Sequence, residues 1–195
     1  MGARKVDKYL TRQFERHVLS ASVEREQKYQ IPQADTFRRR LLRLGAQPHA
    51  GGFERNEIFD NRDRLRRRGL KLRLRCHGGK MVMLTLKGPR IKGRHKARME
   101  VETPVEYTAA KRILELLGFR VRETYSKVRE EYRLDGCSVC LDHLPNTGWF
   151  VEIEGSSQKI GALARRLGLR SGDREHRSYR KLLKIAGHPA QARPE

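Results

Sequence analysis

The sequence predicts an α+β fold in which eight antiparallel strands close into a β-barrel with helices packed outside. Three observations lead there. About eight short segments alternate apolar and polar residues, as half-buried strands do. A few helix-period segments stand between them, ended by glycine. The polar faces of many strands carry acids or bases at i, i+2, the spacing that puts side chains on one face. An open sheet would turn each charged face to water, which explains one strand at a time. Closure explains all of them together. The apolar faces then point outward under the helices, and the charged faces line a hydrated lumen.

The elements follow in order. Residues 1–21 are polar and basic, with Tyr9, Leu10, Phe14 and Val18 on one face of a short helix, and form an N-terminal extension. The first strand, 22–29, carries Glu24, Glu26 and Lys28 in one row. A helix over 33–44 has Phe37, Leu41 and Leu44 at helical spacing, with Gly45 as its stop. The second strand covers 53–60, and 61–68 is an arginine-rich turn. Strand 70–76 sets Leu70, Leu72, Leu74 and Cys76 against Lys71, Arg73 and Arg75, and strand 81–87 sets Val82, Leu84 and Leu86 against Met83, Thr85 and Lys87. GPRIKG reads as a loop. Strand 94–103 places Arg98, Glu100 and Glu102 on one face. A helix over 108–117, with Thr108 as its N-cap, turns Ile113, Leu116 and Leu117 inward. Strand 121–134 makes Lys127 and Arg129 co-facial. Segments 136–142 and 149–154 pair as a hairpin, the second with Phe150, Glu152 and Glu154 on one face. Helices over 158–167 and 179–186 complete a domain spanning 22–186, and 187–195 reads as a disordered tail.

Composition narrows the function. The 195 residues suffice for one sizeable domain. The formal net charge of +21 favours an anionic partner such as nucleic acid, polyphosphate or nucleotide. The chain has no zinc-finger spacing and no RNP-type aromatic motif, which argues against specific nucleic-acid recognition and leaves nonspecific nucleic-acid contact. Cys76, Cys137 and Cys140 give no disulfide framework and suit a reducing cytosol. Cys137 and Cys140 form a C-x-x-C, but in a strand residues i and i+3 face opposite sides, so both read as structural. No stretch approaches the roughly 20 apolar residues of a membrane span, and no apolar signal core precedes the first strand, so a cytoplasmic location is expected.

The lumen would be unusually charged. Glu24/Glu26, Glu100/Glu102 and Glu152/Glu154 are three E-x-E pairs, and Arg73/Arg75 and Lys127/Arg129 are two basic pairs. Burying such groups unpaired is prohibitive, so metal, anionic ligand and water must balance them. Clustered carboxylates suit a hard divalent cation such as Mg²⁺ or Mn²⁺. Lysine and arginine suit phosphate oxygens. Acids beside bases in one lumen suit a metal-bound triphosphate.

Seven blocks in order carry a resemblance: E-x-E-x-K from Glu24, LRLR from Leu72, TLKGP from Thr85, RMEVE from Arg98, KVREEY from Lys127, LDHL from Leu141 and FVEIE from Phe150. Over roughly 23–186 the chain resembles the CYTH superfamily of triphosphate tunnel metalloenzymes. The resemblance implies an eight-stranded tunnel, a divalent metal (Mg or Mn) and a triphosphate substrate: ATP, inorganic triphosphate or thiamine triphosphate. Carried over by position, Glu24, Glu26, Glu152 and Glu154 are metal-site carboxylates, with Glu100, Glu102 and Asp142 as further candidates. Lys28, Arg73, Arg75, Lys87, Arg98, Lys127 and Arg129 form the phosphate cradle. Lys28, Glu26 and Arg98 are the candidate catalytic residues, in keeping with charge neutralisation during phosphoryl transfer.

Two reactions fit such a tunnel. A class IV adenylyl cyclase converts ATP to cyclic AMP and pyrophosphate; a triphosphatase sends water to the terminal phosphorus. LDHLPNTGWFVEIE and SYRKLL are similar to stretches of class IV cyclases, which tips the expectation toward the cyclase. A noncatalytic polyphosphate or nucleic-acid binder is the third reading, disfavoured because an anion binder gains nothing from carboxylates in its groove. No membrane partner is expected, and a homodimer is compatible with the sequence.

Overall fold

A computed structural model describes residues 22–79, 81–93 and 95–187; the expected extension 1–21 and, apart from Gly187, the expected tail 187–195 lie outside the described residues. Eight strands close into one antiparallel barrel: β1 (Ser22–Ile31), β2 (Gln47–Asp60), β3 (Lys71–His77), β4 (Met81–Ile91), β5 (Lys96–Pro104), β6 (Arg120–Leu134), β7 (Cys137–Leu144) and β8 (Gly148–Glu154). Around the barrel they run β1-β5-β4-β3-β2-β6-β7-β8, and β8 returns to β1. Among the described residues five helices accompany them: α1 (Ala34–Arg43), α2 (Arg64–Arg67), α3 (Tyr107–Leu116), α4 (Ser157–Arg166) and α5 (Tyr179–Ile185), with a 3₁₀ turn at Ser171–Asp173.

The core lies outside the barrel, as the alternation requires. Helices α1 and α4 bring Phe37, Leu41, Ile160, Leu163 and Leu167 against the outward residues Val139, Leu141, Val151 and Ile153, all buried. Helix α3 covers the opposite sector, packing Ala110 and Leu114 on Phe59, Leu72, Leu74 and Val121. Helix α5 differs. Its Tyr179, Leu182 and Leu183 pack on Leu144 and Phe150, which share the inward face of β7 and β8 with Asp142 and Glu152. It therefore closes part of one end of the lumen. The C-x-x-C splits as strand geometry demands: Cys137 joins the outer core, Cys140 faces inward, and both are buried free thiols.

Four local expectations need correcting. The second strand starts at Gln47, not 53, because Gly51 and Gly52 pair with Glu130 and Arg129 while Pro48 sits beside a register shift. GPRIKG is not a loop: β4 runs through it to Ile91, with the irregularity between Lys87 and Arg90 accommodating Gly88 and Pro89. The arginine-rich turn contains α2, whose first turn is held by Asp60, accepting from Asn61, Leu65 and Arg66 backbone N–H groups at 2.7, 3.0 and 3.0 Å.

Helix α3 departs most. Its cap is Glu106, not Thr108; the carboxylate accepts from the Thr108 and Ala109 N–H groups at 2.8 and 2.6 Å. Ile113, Leu116 and Leu117 point to solvent, at 57, 70 and 64% exposure. The inward stripe is Tyr107, Ala110 and Leu114. Small Ala110 lets the helix approach the sheet, and the Tyr107 hydroxyl donates to buried Glu57 at 3.0 Å. That polar anchor fixes the helix rotation against its own hydrophobicity.

The packing predicts a contrast measurable by chemical denaturation. Leu41→Ala, at a fully buried site, should destabilise by about 2–5 kcal/mol. Leu116→Ala should stay within about 0.5 kcal/mol of the parent.

Candidate active site

Two cavities meet inside the barrel. One, of about 130 Å³, is lined by Glu24, Glu26, Lys28, Arg73, Arg75, Lys87, Arg98, Lys127, Arg129, Glu152 and Glu154, with Lys71, Arg90, Lys96, Tyr125, Tyr179 and Arg180. A wider one, of about 650 Å³, is lined by Glu100, Glu102, Glu131, Arg133 and Cys140 among others. Glu24, Glu154, Arg75 and Arg129 line both, so they form the waist of a continuous passage. Every residue singled out in the sequence except Asp142 lines one of the two cavities.

Cross-strand register sets the contacts. Glu26 stands opposite Glu154, and Lys28 opposite Glu152, on β1 and β8; Lys87 stands opposite Glu100 and Thr85 opposite Glu102 on β4 and β5. Residues directly opposite share a face, so the E-x-E pairs of three strands converge. Glu24, Glu26 and Glu154 each place a carboxylate oxygen within 4.8 Å of the others. Burial and mutual repulsion raise the proton affinity of all three. Glu154 reaches about 7 through burial, with Glu24, Glu152 and Glu26 adding to it against Arg129. For Glu26, burial leads and Glu152 and Glu24 follow; for Glu24, burial outweighs the pull of Lys87. Three crowded carboxylates with excess negative charge fit a hard divalent cation, with oxygen donors of the kind Mg²⁺ and Mn²⁺ take.

The other acids are held by cations. Asp142 is fully buried and accepts a bidentate pair from Arg129 at 2.7 and 2.6 Å, Lys127 at 3.0 Å and the Tyr179 hydroxyl at 2.6 Å. Burial opposes its ionisation, but Arg129 and Lys127 hold it ionised far below the usual range. Its place is behind the cradle, orienting Lys127 and Arg129. Glu152 accepts from Arg129 at 2.7 Å. Glu100 and Glu102 lie 3.7 and 3.6 Å from Arg73, and Glu100 also lies 2.9 Å from Lys87.

Lys28 is 1% exposed. Its ammonium donates to the Arg177 carbonyl at 2.6 Å and stands 3.9 Å above the Tyr179 ring. Burial lowers its pKa to about 8, against the attraction of Glu152. Lys87 bridges Glu24 at 2.6 Å and Glu100. Arg98 lines the same cavity and donates to the Gly69 and Gly88 carbonyls at 3.1 and 2.7 Å.

Several residues that line the cavities or hold their walls were not singled out in the sequence. Glu54 and Asn56 come from β2: Glu54 lies 3.4 Å from Lys127 and 3.7 Å from Arg75, and Asn56 accepts from Arg75 at 3.4 Å. Their alternation with Ile58 on the inward face was legible, but Arg55 and Glu57 made the outer face look equally polar. Tyr125 belongs to the row of Lys127 and Arg129. Burial pushes its phenol up, but Lys71, Arg73 and Lys127 outweigh this and bring it to about 8. Tyr179 comes from a helix, where strand alternation gives no signal.

Comparisons with known proteins identify the family. The CYTH domain profile matches residues 22–179. The chain belongs to the CYTH domain family. A Methanocaldococcus jannaschii protein named "Putative adenylate cyclase" is 30% identical over 140 residues, 71% of this chain and 79% of that protein. A Vibrio parahaemolyticus structure described in the same words superposes with a TM-score of 0.77 at 23% identity, covering 85% of this chain and 99% of that one. A Hippeastrum protein superposes at 0.62 with 15% identity, covering 83% and 95%. The last two likenesses are of fold. The closed eight-stranded CYTH tunnel expected from the sequence is the one present.

Glu54 generates a pH prediction. Burial would raise its pKa, but Lys127, Arg75 and Arg129 hold it at about 2, below the ordinary carboxylate value of 4.5. A depressed carboxylate stabilises the fold above its unfolded pKa and loses that contribution as pH falls through the folded value. Glu54→Gln should therefore lower stability at neutral pH and flatten the acid limb between about pH 4.5 and 2, followed by circular dichroism across that window.

Proposed function

We propose that the passage is the active site of a divalent-metal-dependent enzyme that binds a triphosphate along its cationic wall and hydrolyses the terminal phosphate. The observation that carries this reading is the convergence of Glu24, Glu26 and Glu154 within one lumen facing Lys28, Arg73, Arg75, Lys127 and Arg129. Glu24, Glu26 and Glu154 would hold the metal, which when bound supplies Lewis-acid neutralisation of phosphoryl charge.

The chain's own groups account for positioning. Arg73 and Arg75 offer planar donors that can each bind two phosphate oxygens, while Arg129, whose Nε and Nη2 are held by Asp142 and Glu152, keeps Nη1 for one. Lys28, desolvated and pinned by the Arg177 carbonyl, offers a point charge whose field is strengthened by its surroundings. Asp142 and Glu152 hold Arg129 from behind, so the cradle is set before substrate arrives. The same cavity is also lined by Lys71, Arg90, Lys96, Arg98 and Arg180, cations suited to a phosphate chain, and this favours hydrolysis of a phosphate terminus. The Hippeastrum neighbour, described as a putative adenylyl cyclase with a dominant triphosphatase activity, is in keeping with it.

The cyclase reading, ATP to cyclic AMP and pyrophosphate, is supported by the name of the Methanocaldococcus relative. The wider cavity beyond the waist would then take the nucleoside. Incubation with ATP, inorganic triphosphate and thiamine triphosphate, each with Mg²⁺ or Mn²⁺, separates the two. Orthophosphate is the expected product; cyclic AMP with pyrophosphate would overturn hydrolysis in favour of cyclisation.

Two variants test the roles within either reaction. Glu26→Gln should lower metal-dependent turnover at least about a hundredfold, and unchanged turnover would remove Glu26 from the metal site. Lys28→Ala should cut kcat/KM by a similar order, about a hundredfold, measured by orthophosphate release at subsaturating triphosphate.

A further inference from the structure

We propose that the outward face of α3 docks on an anionic membrane surface, with Ile113, Leu116 and Leu117 entering the interface and the arginines around them meeting lipid phosphates. The proposal concerns the outside of the barrel and does not rest on the reading of its lumen. The expectation of no membrane partner followed from the lack of a spanning segment, and no described helix is long and apolar enough to cross a membrane. A helix face that lies in the headgroup layer needs no span.

The apolar row is held outward. Ala109, Ile113, Leu116 and Leu117 follow the i, i+4, i+7, i+8 spacing of one helix face, and all four are exposed. Leu116 and Leu117 are the two most exposed large apolar side chains among the described residues. Rotation of α3 is fixed from the other side, where the Tyr107 hydroxyl donates to Glu57 at 3.0 Å and Lys111 lies 3.6 Å from the same carboxylate. Rolling the helix to bury the row would strand Glu57 without these partners. Single exposed apolar residues are ordinary, but a contiguous row with a polar rim marks an interaction site.

The rim of this row is cationic. Arg112 borders it on α3 and is exposed. Arg120, also exposed, donates to the Glu115 and Phe119 carbonyls at 2.9 Å each, which sets its head at the end of α3. Among the described residues neither arginine pairs with a carboxylate. The segment bearing α2 adjoins the same end: the Asn61 amide nitrogen lies 3.1 Å from where a Cβ on Gly118 would stand, and Asp63 reaches Arg122 at 3.6 Å. That segment presents exposed Arg62, Arg64, Arg66, Arg67 and Arg68. The acids of α3 lie away from the row. Glu106 caps the far end, and Glu115 falls on the other flank by helical period.

Charge and apolarity together select the partner. Nucleic acid would engage the arginines and leave the apolar row in water. A second copy docked by two-fold symmetry would bring Arg112 and Arg120 toward their own counterparts. An anionic bilayer takes both features, the arginines at its phosphates and the row at its acyl boundary. A convex helix face suits a deformable layer, and the net charge of +21 draws the whole chain toward an extended anionic surface.

The test is flotation of the full chain with vesicles of phosphatidylcholine alone and of phosphatidylcholine with phosphatidylglycerol. The parent should partition onto the anionic vesicles and not onto the neutral ones. Leu116→Asp/Leu117→Asp should weaken that partition at least about tenfold, with a melting temperature within about 2 °C of the parent. Arg112→Gln/Arg120→Gln should weaken it about twentyfold, at roughly fivefold per charge, and flatten its salt dependence. Leu116→Trp should emit further to the blue on anionic vesicles and be quenched by brominated acyl chains. Anionic binding that the leucine variant keeps would show net charge acting alone and overturn the proposal, as would an unshifted Leu116→Trp emission. A parent that binds neither vesicle would overturn it too. Sedimentation showing a dimer that the leucine variant splits would assign the face to a second copy, and capture of an acidic amphipathic peptide in place of vesicles would assign it to a protein; either result removes the membrane.

Discussion

Closure of the barrel is the constraint on which the rest depends. It turns every second side chain of eight strands into one lumen, and the sequence makes most of those side chains charged. Desolvated charges persist only when paired, so the register that closes the barrel must also match acids to bases. It does so across most of the wall: Asp142 with Arg129 and Lys127, Glu54 with Lys127, Glu24 and Glu100 with Lys87. A slip of one residue would turn the row outward and set apolar side chains in its place. The outer core reinforces the same register, because Val139, Leu141, Val151 and Ile153 must meet α1 and α4. Stability and site thus share one geometric cause.

Where pairing fails, chemistry becomes available. The lumen has two such places. At the waist, Glu24, Glu26 and Glu154 crowd together and Glu154 is pushed up to about 7 by burial and by the other acids. Across β3, β4 and β5, Lys71 and Arg90 stand opposite other cations. Matched ion pairs between them hold the walls rigid, so the unpaired groups are pre-placed for a ligand.

Alternation made the fold and most of this site legible. Glu24, Glu26 and Lys28, Arg73 and Arg75, and Lys127 and Arg129 all face the lumen as their i, i+2 spacing implies. What the spacing could not convey is long-range. Asp142 shares the inward period with Cys140 and Leu144, yet the side chain is sealed from the cavity by Arg129, Lys127 and Tyr179. Glu54 was hidden because Arg55 and Glu57, on the outer side, are charged too. Glu57 is buried there because Tyr107 and Lys111 reach it from α3 and Arg55 from its own strand. The same contact misdirected the face of α3: Ile113 and Leu116 look like a core stripe, but the Tyr107–Glu57 bond sets the rotation. Local hydrophobicity gives way where one buried carboxylate demands a donor.

Helix α5 shows how far the site depends on parts beyond the strands. It lies after the last strand, yet the Tyr179 hydroxyl bonds Asp142 and its ring sits beneath Lys28 and Lys127. Immediately before it, the Arg177 carbonyl accepts from Lys28, and Arg180 pairs with Glu123 on β6 at 2.8 Å. One short helix therefore fixes a lysine of β1, a lysine of β6 and the aspartate that orients Arg129. Without it, Lys28 would lose both its carbonyl acceptor and the aromatic face that offset its desolvation. The row Glu24–Glu26–Lys28 is one strand in sequence but two environments in space. Its acids belong to the waist, and its lysine belongs to a floor that α5 supplies.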